Sequence, residues 1–250
     1  MYALCLLHGF FIFMTINKNR LLNRSNKTDV ASFLDKIAKA PVVRPAVDRG
    51  RLIFAMDATA SREPTWSSAC EIQSRMFDET TALGGLEIQL CYYRGQMEFS
   101  ASPWLHSSDE LKRRMREVSC IGGMTQISQL LKHALRETKQ RKVNALVFVG
   151  DCVEESVERL CQQAGELGMH GVPLFLFQEG YEPVAEKAFR RMAELTGGAY
   201  CPFNAGSAHQ LAELLGAVAV YAAGGRRALE DFGSRQGGSI PKLLQQLNKG

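Results

Sequence analysis

RLIFAMDATASR, residues 51–62, changes character at its middle. The apolar run LIFAM stops at Asp57, and hydroxyl residues follow at every second position, Thr59 and Ser61. A short run without polar residues fits a strand buried on both faces, as in the interior of a parallel sheet; a half-exposed strand would alternate. Asp57, Thr59 and Ser61 then stand on the loop leaving that strand. Their oxygens either serve an ordinary polar loop or act as three ligands on one turn.

The same pattern recurs further on. NALVFVG (144–150) is a second buried run and ends at Asp151, while VPLFLFQ (172–178) and the shorter AYCPF (199–203) also read as strands. Between them lie amphipathic stretches of helical period. EPTWSSACEIQSRMFDETTALGG (63–85) has Pro64 near its start and a Gly pair at its end. SSDELKRRMREV (107–118) has a Ser/Asp cap, and TQISQLLKHALRETKQ (125–140) follows. CVEESVERLCQQAGELG, EPVAEKAFRRMAELTGG and SAHQLAELLGAVAVYAAGG read as the remaining long helices. LEIQLCYYRG alternates, and QMEFSA follows a tight Arg94-Gly95 turn, so these two segments predict an antiparallel hairpin. Strands alternating with helices predict an α/β fold: a doubly wound, Rossmann-like, mostly parallel six-stranded sheet with one antiparallel edge strand and helices on both faces.

The bulk composition agrees with one such domain plus extensions. The chain has 250 residues, 46% hydrophobic and 22% charged, which argues against global disorder. A net charge of +4, with acids and bases interspersed, calls for no nucleic-acid partner, and none is expected. Seven cysteines are scattered with no C-x-x-C pair, which reads as reduced thiols in a cytoplasmic protein and not as a disulfide scaffold. Residues 1–27 form an apolar and then basic extension. MYALCLLHGFFIFMTI has no basic segment before it and no cleavage site after it, and it is short for a membrane span. It is either a marginal anchor or a start placed before a true first residue at Met14; a membrane partner is not expected. Residues 28–49 hold a helix (apolar positions Val30, Phe33, Leu34, Ile37 and Ala38) and the linker PVVRP. Residues 50–223 form the main domain and 224–250 a Gly-punctuated tail.

In a doubly wound sheet, ligands bind beyond the C-terminal ends of the strands, where the winding reverses. Asp57 and Asp151 leave strands one and four, which are neighbours at that point in a 3-2-1-4-5-6 order. Two carboxylates so placed repel unless a proton or cation lies between them. Thr59 and Ser61 stand beside them, and the loop CIGGMTQI brings Thr125. This all-oxygen set suits Mg²⁺ best, with Mn²⁺ or Ca²⁺ as alternatives; zinc favours His or Cys. Other polar residues have plainer readings. Glu154 and Glu155, close after Asp151, either stand behind the metal ligands or, more plainly, suit a first helical turn for the helix dipole. Glu63 and Trp66 lie near the site, Trp66 as a packing residue, and the five histidines form no ligand pair.

The segments DATAS, GGMT and VFVGD resemble, in order and spacing, the metal-ion-dependent adhesion site (MIDAS) of von Willebrand factor type A (VWA) domains, over roughly residues 50–223. The chain looks like a bacterial-type cytoplasmic member. Carried over residue by residue, the metal ligands are Asp57, Thr59, Ser61, Thr125 and Asp151. Thr59 stands where the family usually has serine, and Cys152 where a glycine often follows the last aspartate. The resemblance implies a protein-binding module whose cation accepts an Asp or Glu carboxylate from a partner protein, and no catalysis. Two alternatives remain: a metal-dependent phosphoester hydrolase using the same cation, and a structural VWA-like domain without metal. The P-loop, G-x-S-x-G and G-x-G-x-x-G signatures are all missing.

Overall fold

A computed structural model of the chain describes residues 32–33, 36–37, 49–80, 85–203 and 208–235. The expectations for residues 1–27, for the linker and for most of the tail lie outside the described residues. So does most of the N-terminal helix, although residues 32–33 and 36–37 are helical and Phe33 and Ile37 are wholly buried.

Six strands form a single sheet in the order β3-β2-β1-β4-β5-β6. They are β1 (Gly50–Asp57), β2 (Leu86–Arg94), β3 (Glu98–Ala101), β4 (Ala145–Gly150), β5 (Leu174–Glu179) and β6 (Ala199–Phe203). All neighbours pair in parallel except β2 and β3, the expected hairpin, in which Arg94 faces Glu98. β1 lies at the centre, with Leu52 beside Ala145 of β4 and Asp57 beside Tyr93 of β2. Pro202 is tolerated in β6 because that strand is an edge.

Alternate residues of the buried strands feed two cores. Leu52, Phe54 and Met56 of β1 join Val147, Val149, Phe175 and Phe177 on one face. Ile53 and Ala55 join Leu146, Phe148, Leu174 and Leu176 on the other. The first face is covered by α1 (Glu63–Ile72), α2 (Ser74–Asp78), α3 (Ser108–Arg116) and α7 (Ala208–Arg235). The second is covered by α4 (Ile127–Gln140), α5 (Val157–Met169) and α6 (Pro183–Thr196). Strands buried on both sides need continuous apolar sequence, which is why these segments lack polar residues.

Two boundaries differ from the sequence reading. The predicted helix over 63–85 is two shorter helices, α1 and α2, with Gln73 between them. The last helix continues past residue 223. It breaks at Gly225, at φ 70°, a conformation glycine adopts freely, and resumes to Arg235. Ala228, Leu229 and Phe232 beyond the break are buried in the first core. Amphipathic spacing resumes after the Gly pair, so the pair marks a kink and not a terminus. No helix among the described residues is long and apolar enough to cross a membrane.

Candidate metal centre

The C-terminal ends of β1 and β4 bring Asp57 and Asp151 together from opposite sides of a long sequence separation. Asp57 is wholly buried; Asp151 is partly exposed. An oxygen of each, with the Cys152 sulfur, lies within 4.8 Å of the others. The Thr59 backbone N–H donates to Asp57 Oδ1 at 2.7 Å, and the Tyr93 hydroxyl lies 3.3 Å from Oδ2. Ser61 Oγ donates to Asp151 Oδ2 at 3.0 Å and lies 3.4 Å from Thr59 Oγ1. Asp57, Thr59, Ser61 and Asp151 thus form one connected group.

Thr125 is tied instead to Glu154. Its hydroxyl accepts from the Glu154 N–H at 3.1 Å, and its own N–H donates to the Glu154 carboxylate at 2.8 Å. It is 6% exposed, so it belongs to a locked loop and not to a loose one. Glu155 accepts from the backbone N–H groups of Ile127 and Ser128. Glu155 therefore serves a helix N-terminus, as the dipole reading expects, but that of α4 and not the helix that follows it, while Glu154 holds the loop just before α4. α5 begins only at Val157, with Ser156 as its cap. The physical reason is that residues 152–156 form a loop leaning on the start of α4, whose first N–H groups need acceptors.

Backbone contacts fasten these loops to one another. Ala58 N–H donates to Tyr93 O, Ile121 N–H to Ala58 O and Met124 N–H to Gly95 O. A side chain at Gly123 would sit 1.9 Å from Gly95 O, so only glycine permits that approach. At Gly150 a Cβ would meet the Phe148 ring at 2.7 Å, and the bare backbone leaves room next to Asp57.

The electrostatics follow from burial. Asp57 is pushed above the usual carboxylate range, first by desolvation, with the Asp151 charge adding to the effect and the Thr59 hydrogen bonds opposing it. The Cys152 thiol is pushed up to about 12 by burial and then by Asp151. The Tyr93 hydroxyl is held protonated by burial and by Asp57. Asp151 Oδ1 is buried without a hydrogen-bond partner. A carboxylate with an orphaned buried oxygen, close to a second and wholly buried carboxylate, is a cation's natural seat, and the residues present fit a divalent ion there.

Sequence reading missed three neighbours. Tyr93 could have been found from strand register, since it lies directly opposite Asp57. Cys152 drew notice only as a departure from the usual glycine. Arg62, immediately after the DATAS segment, is 1% exposed and pairs with Glu179 at the end of β5, to which Thr65 also donates. No sequence signal announces that contact. Trp66 is a packing residue, as expected: it is buried and donates to Met115 O at 2.9 Å.

No protein-family model and no curated protein matches this sequence. Solved structures do. The VWA domain of SpRpn10 is 13% identical at a TM-score of 0.53, over 67% of this chain and 94% of that one. The von Willebrand factor domain of the type V pili tip protein Mfa5 from Porphyromonas gingivalis is 10% identical at 0.51, over 70% and 95%. Proximal thread matrix protein 1 from the mussel byssus, a structure with a zinc-occupied MIDAS motif, is 14% identical at 0.53, over 70% and 47%. At identities this low the likeness is one of architecture, and the chain has the fold of a von Willebrand factor type A domain.

Proposed function

We propose that this VWA-type domain is a protein-binding module that holds a divalent cation between Asp57 and Asp151, with the hydroxyls of Thr59, Ser61 and Thr125 completing the protein's share of the shell. The observation that carries the reading is the carboxylate pair itself. Two acids close at the switch point, one wholly buried and the other with an orphaned oxygen, are costly without a cation. The oxygen donors suit Mg²⁺, and also Mn²⁺ or Ca²⁺. The ion would act as a fixed positive charge with an exchangeable position, which an Asp or Glu carboxylate of a partner protein fills. The protein's own residues set the geometry: the Thr59 N–H orients Asp57, Ser61 orients Asp151, and Glu154 fixes the loop bearing Thr125.

The surface around the site supports docking of a protein. Five of the six large apolar side chains exposed among the described residues are at this end of the sheet: Met97, Ile121, Met124, Tyr181 and Val184. Exposed apolar groups clustered at one end favour a macromolecular partner over a small ion or solute. We propose binding without turnover, in a reducing, cytoplasmic compartment; the cysteines at 70, 91, 120, 152, 161 and 201 are free thiols, which suits that setting.

The test is capture of partner protein by the immobilised chain in Mg²⁺ and in EDTA, using wild type and Thr125→Ala. Capture should need the cation and weaken in the variant. Losing the hydroxyl leaves the Glu154 N–H without its acceptor, which costs about 1–3 kcal/mol of stability, so melting temperature is measured alongside. Capture that is equal in Mg²⁺ and EDTA would overturn the reading.

A further inference from the structure

We propose that Cys152 is a sulfur donor to the cation at this site and shifts its preference from hard ions towards borderline ones such as Zn²⁺ and Co²⁺. The inference rests on the reading of the site as a metal centre. The oxygen set read from sequence omits the thiol, yet its sulfur belongs to the same cluster as the two carboxylates, all donor atoms lying within 4.8 Å of one another. One ion with bonds of about 2.0–2.3 Å to oxygen and sulfur donors would span such a cluster after a contraction. Asp57 and Asp151 each point independently to an ion. Asp57 is 0% exposed and, among the described residues, has hydrogen bonds but no ion pair. Asp151 Oδ1 is buried and unpartnered. Asp151 and Cys152 are partly exposed, which leaves a way in.

Two carboxylates and one thiolate, with the site's hydroxyls or water filling the remaining positions, would make a donor set that borderline cations favour and Mg²⁺ does not. On binding, the Cys152 S–H bond breaks, a sulfur–metal bond forms, and the proton leaves to solvent. The protein ligands then carry three negative charges against two positive ones. Such an ion attracts a partner's carboxylate less than one held by oxygen alone, so sulfur ligation and carboxylate capture compete.

Co²⁺ titration of the full, reduced chain tests this. Thiolate-bound Co²⁺ gives an intense near-ultraviolet charge-transfer absorption in addition to its visible d–d bands. Wild type should show both and saturate. Cys152→Ser should keep the visible bands and lose the charge-transfer absorption, and its Zn²⁺-over-Mg²⁺ selectivity should fall roughly tenfold or more. Asp57→Asn should lose both features. Saturable d–d bands without a Cys152-dependent charge-transfer band would overturn the sulfur donor while leaving the metal centre in place. No saturable binding of Co²⁺, Zn²⁺ or Mg²⁺ would overturn both.

Discussion

Replacing Asp57 by asparagine keeps its shape and removes its charge, and the structure says the sign of the effect should depend on metal. In the metal-free protein, Asp57 and Asp151 have oxygens within 4.8 Å of each other. With both ionised, Coulomb repulsion at an effective dielectric constant of about 20 is roughly 3 kcal/mol. Part of that is relieved because Asp57 is already held towards its protonated form, and part because Asp151 is partly open to water. The asparagine keeps an acceptor for the Thr59 N–H, now at 2.7 Å, and offers an N–H to the Tyr93 hydroxyl. A gain of about 1–2 kcal/mol in EDTA is expected, or roughly 2–8 °C in Tm for a domain of this size. Saturating metal reverses the order. At a hundred times Kd a bound ion stabilises the wild type by about 2.7 kcal/mol, and the variant should gain almost nothing. Scanning calorimetry of both proteins in EDTA and in Mg²⁺ should therefore give crossing melting temperatures. An Asp57→Asn protein that melts below wild type in EDTA would refute the reasoning, because the carboxylate would then be stabilising its own loop; so would equal metal-induced shifts in the two proteins.

Other outcomes follow from the same structure. Glu155→Ala removes the acceptor for the first N–H groups of α4 and should cost about 1–2 kcal/mol in urea unfolding, with a smaller metal-induced shift because the Thr125 loop loosens. Phe232→Ala should cost about 3 kcal/mol by chemical denaturation, since Phe232 is 8% exposed in the core beyond the Gly225 break; a cost near zero would mean that this part of α7 is not docked. His133, whose pKa burial lowers, is hydrogen-bonded to Gln89 at 2.8 Å. A base with a depressed folded pKa contributes stability above its unfolded value and loses it as pH falls, so stability should drop below about pH 6.5, and His133→Gln should remove that part of the drop.

The fold was legible because burial on both faces leaves a plain mark: LIFAM and ALVFV have no polar interruptions, and the β2–β3 hairpin follows its Arg94-Gly95 turn. The same runs locate the first and last aspartates of the candidate site, since each run ends on one. What sequence could not convey is how loops from different elements lean on each other. Glu155 reads as a helix-start residue, and it is one, but the helix is α4. Thr125 reads only as part of a glycine loop, and it is the contact of Gly123 with Gly95 and the hydrogen bonds to Glu154 that lock it. The break at Gln73 and the continuation past Gly225 depend on tertiary packing, to which local propensity is blind.

The central pairing of β1 with β4 also has a kinetic consequence. Leu52 lies beside Ala145, so this parallel ladder closes a loop of about ninety residues before it gains a single contact. The β1–β2 pairing, Gly50 with Leu86, spans far less chain and the β2–β3 hairpin less still. High contact order slows folding, and the cost falls on the last and widest closure. Asp57 and Asp151 become neighbours only at that closure. Species on the way to the native state that hold the β1–β2–β3 half alone therefore have no carboxylate pair, and a ligand selective for the pair would retard unfolding while leaving the rate of folding nearly unchanged.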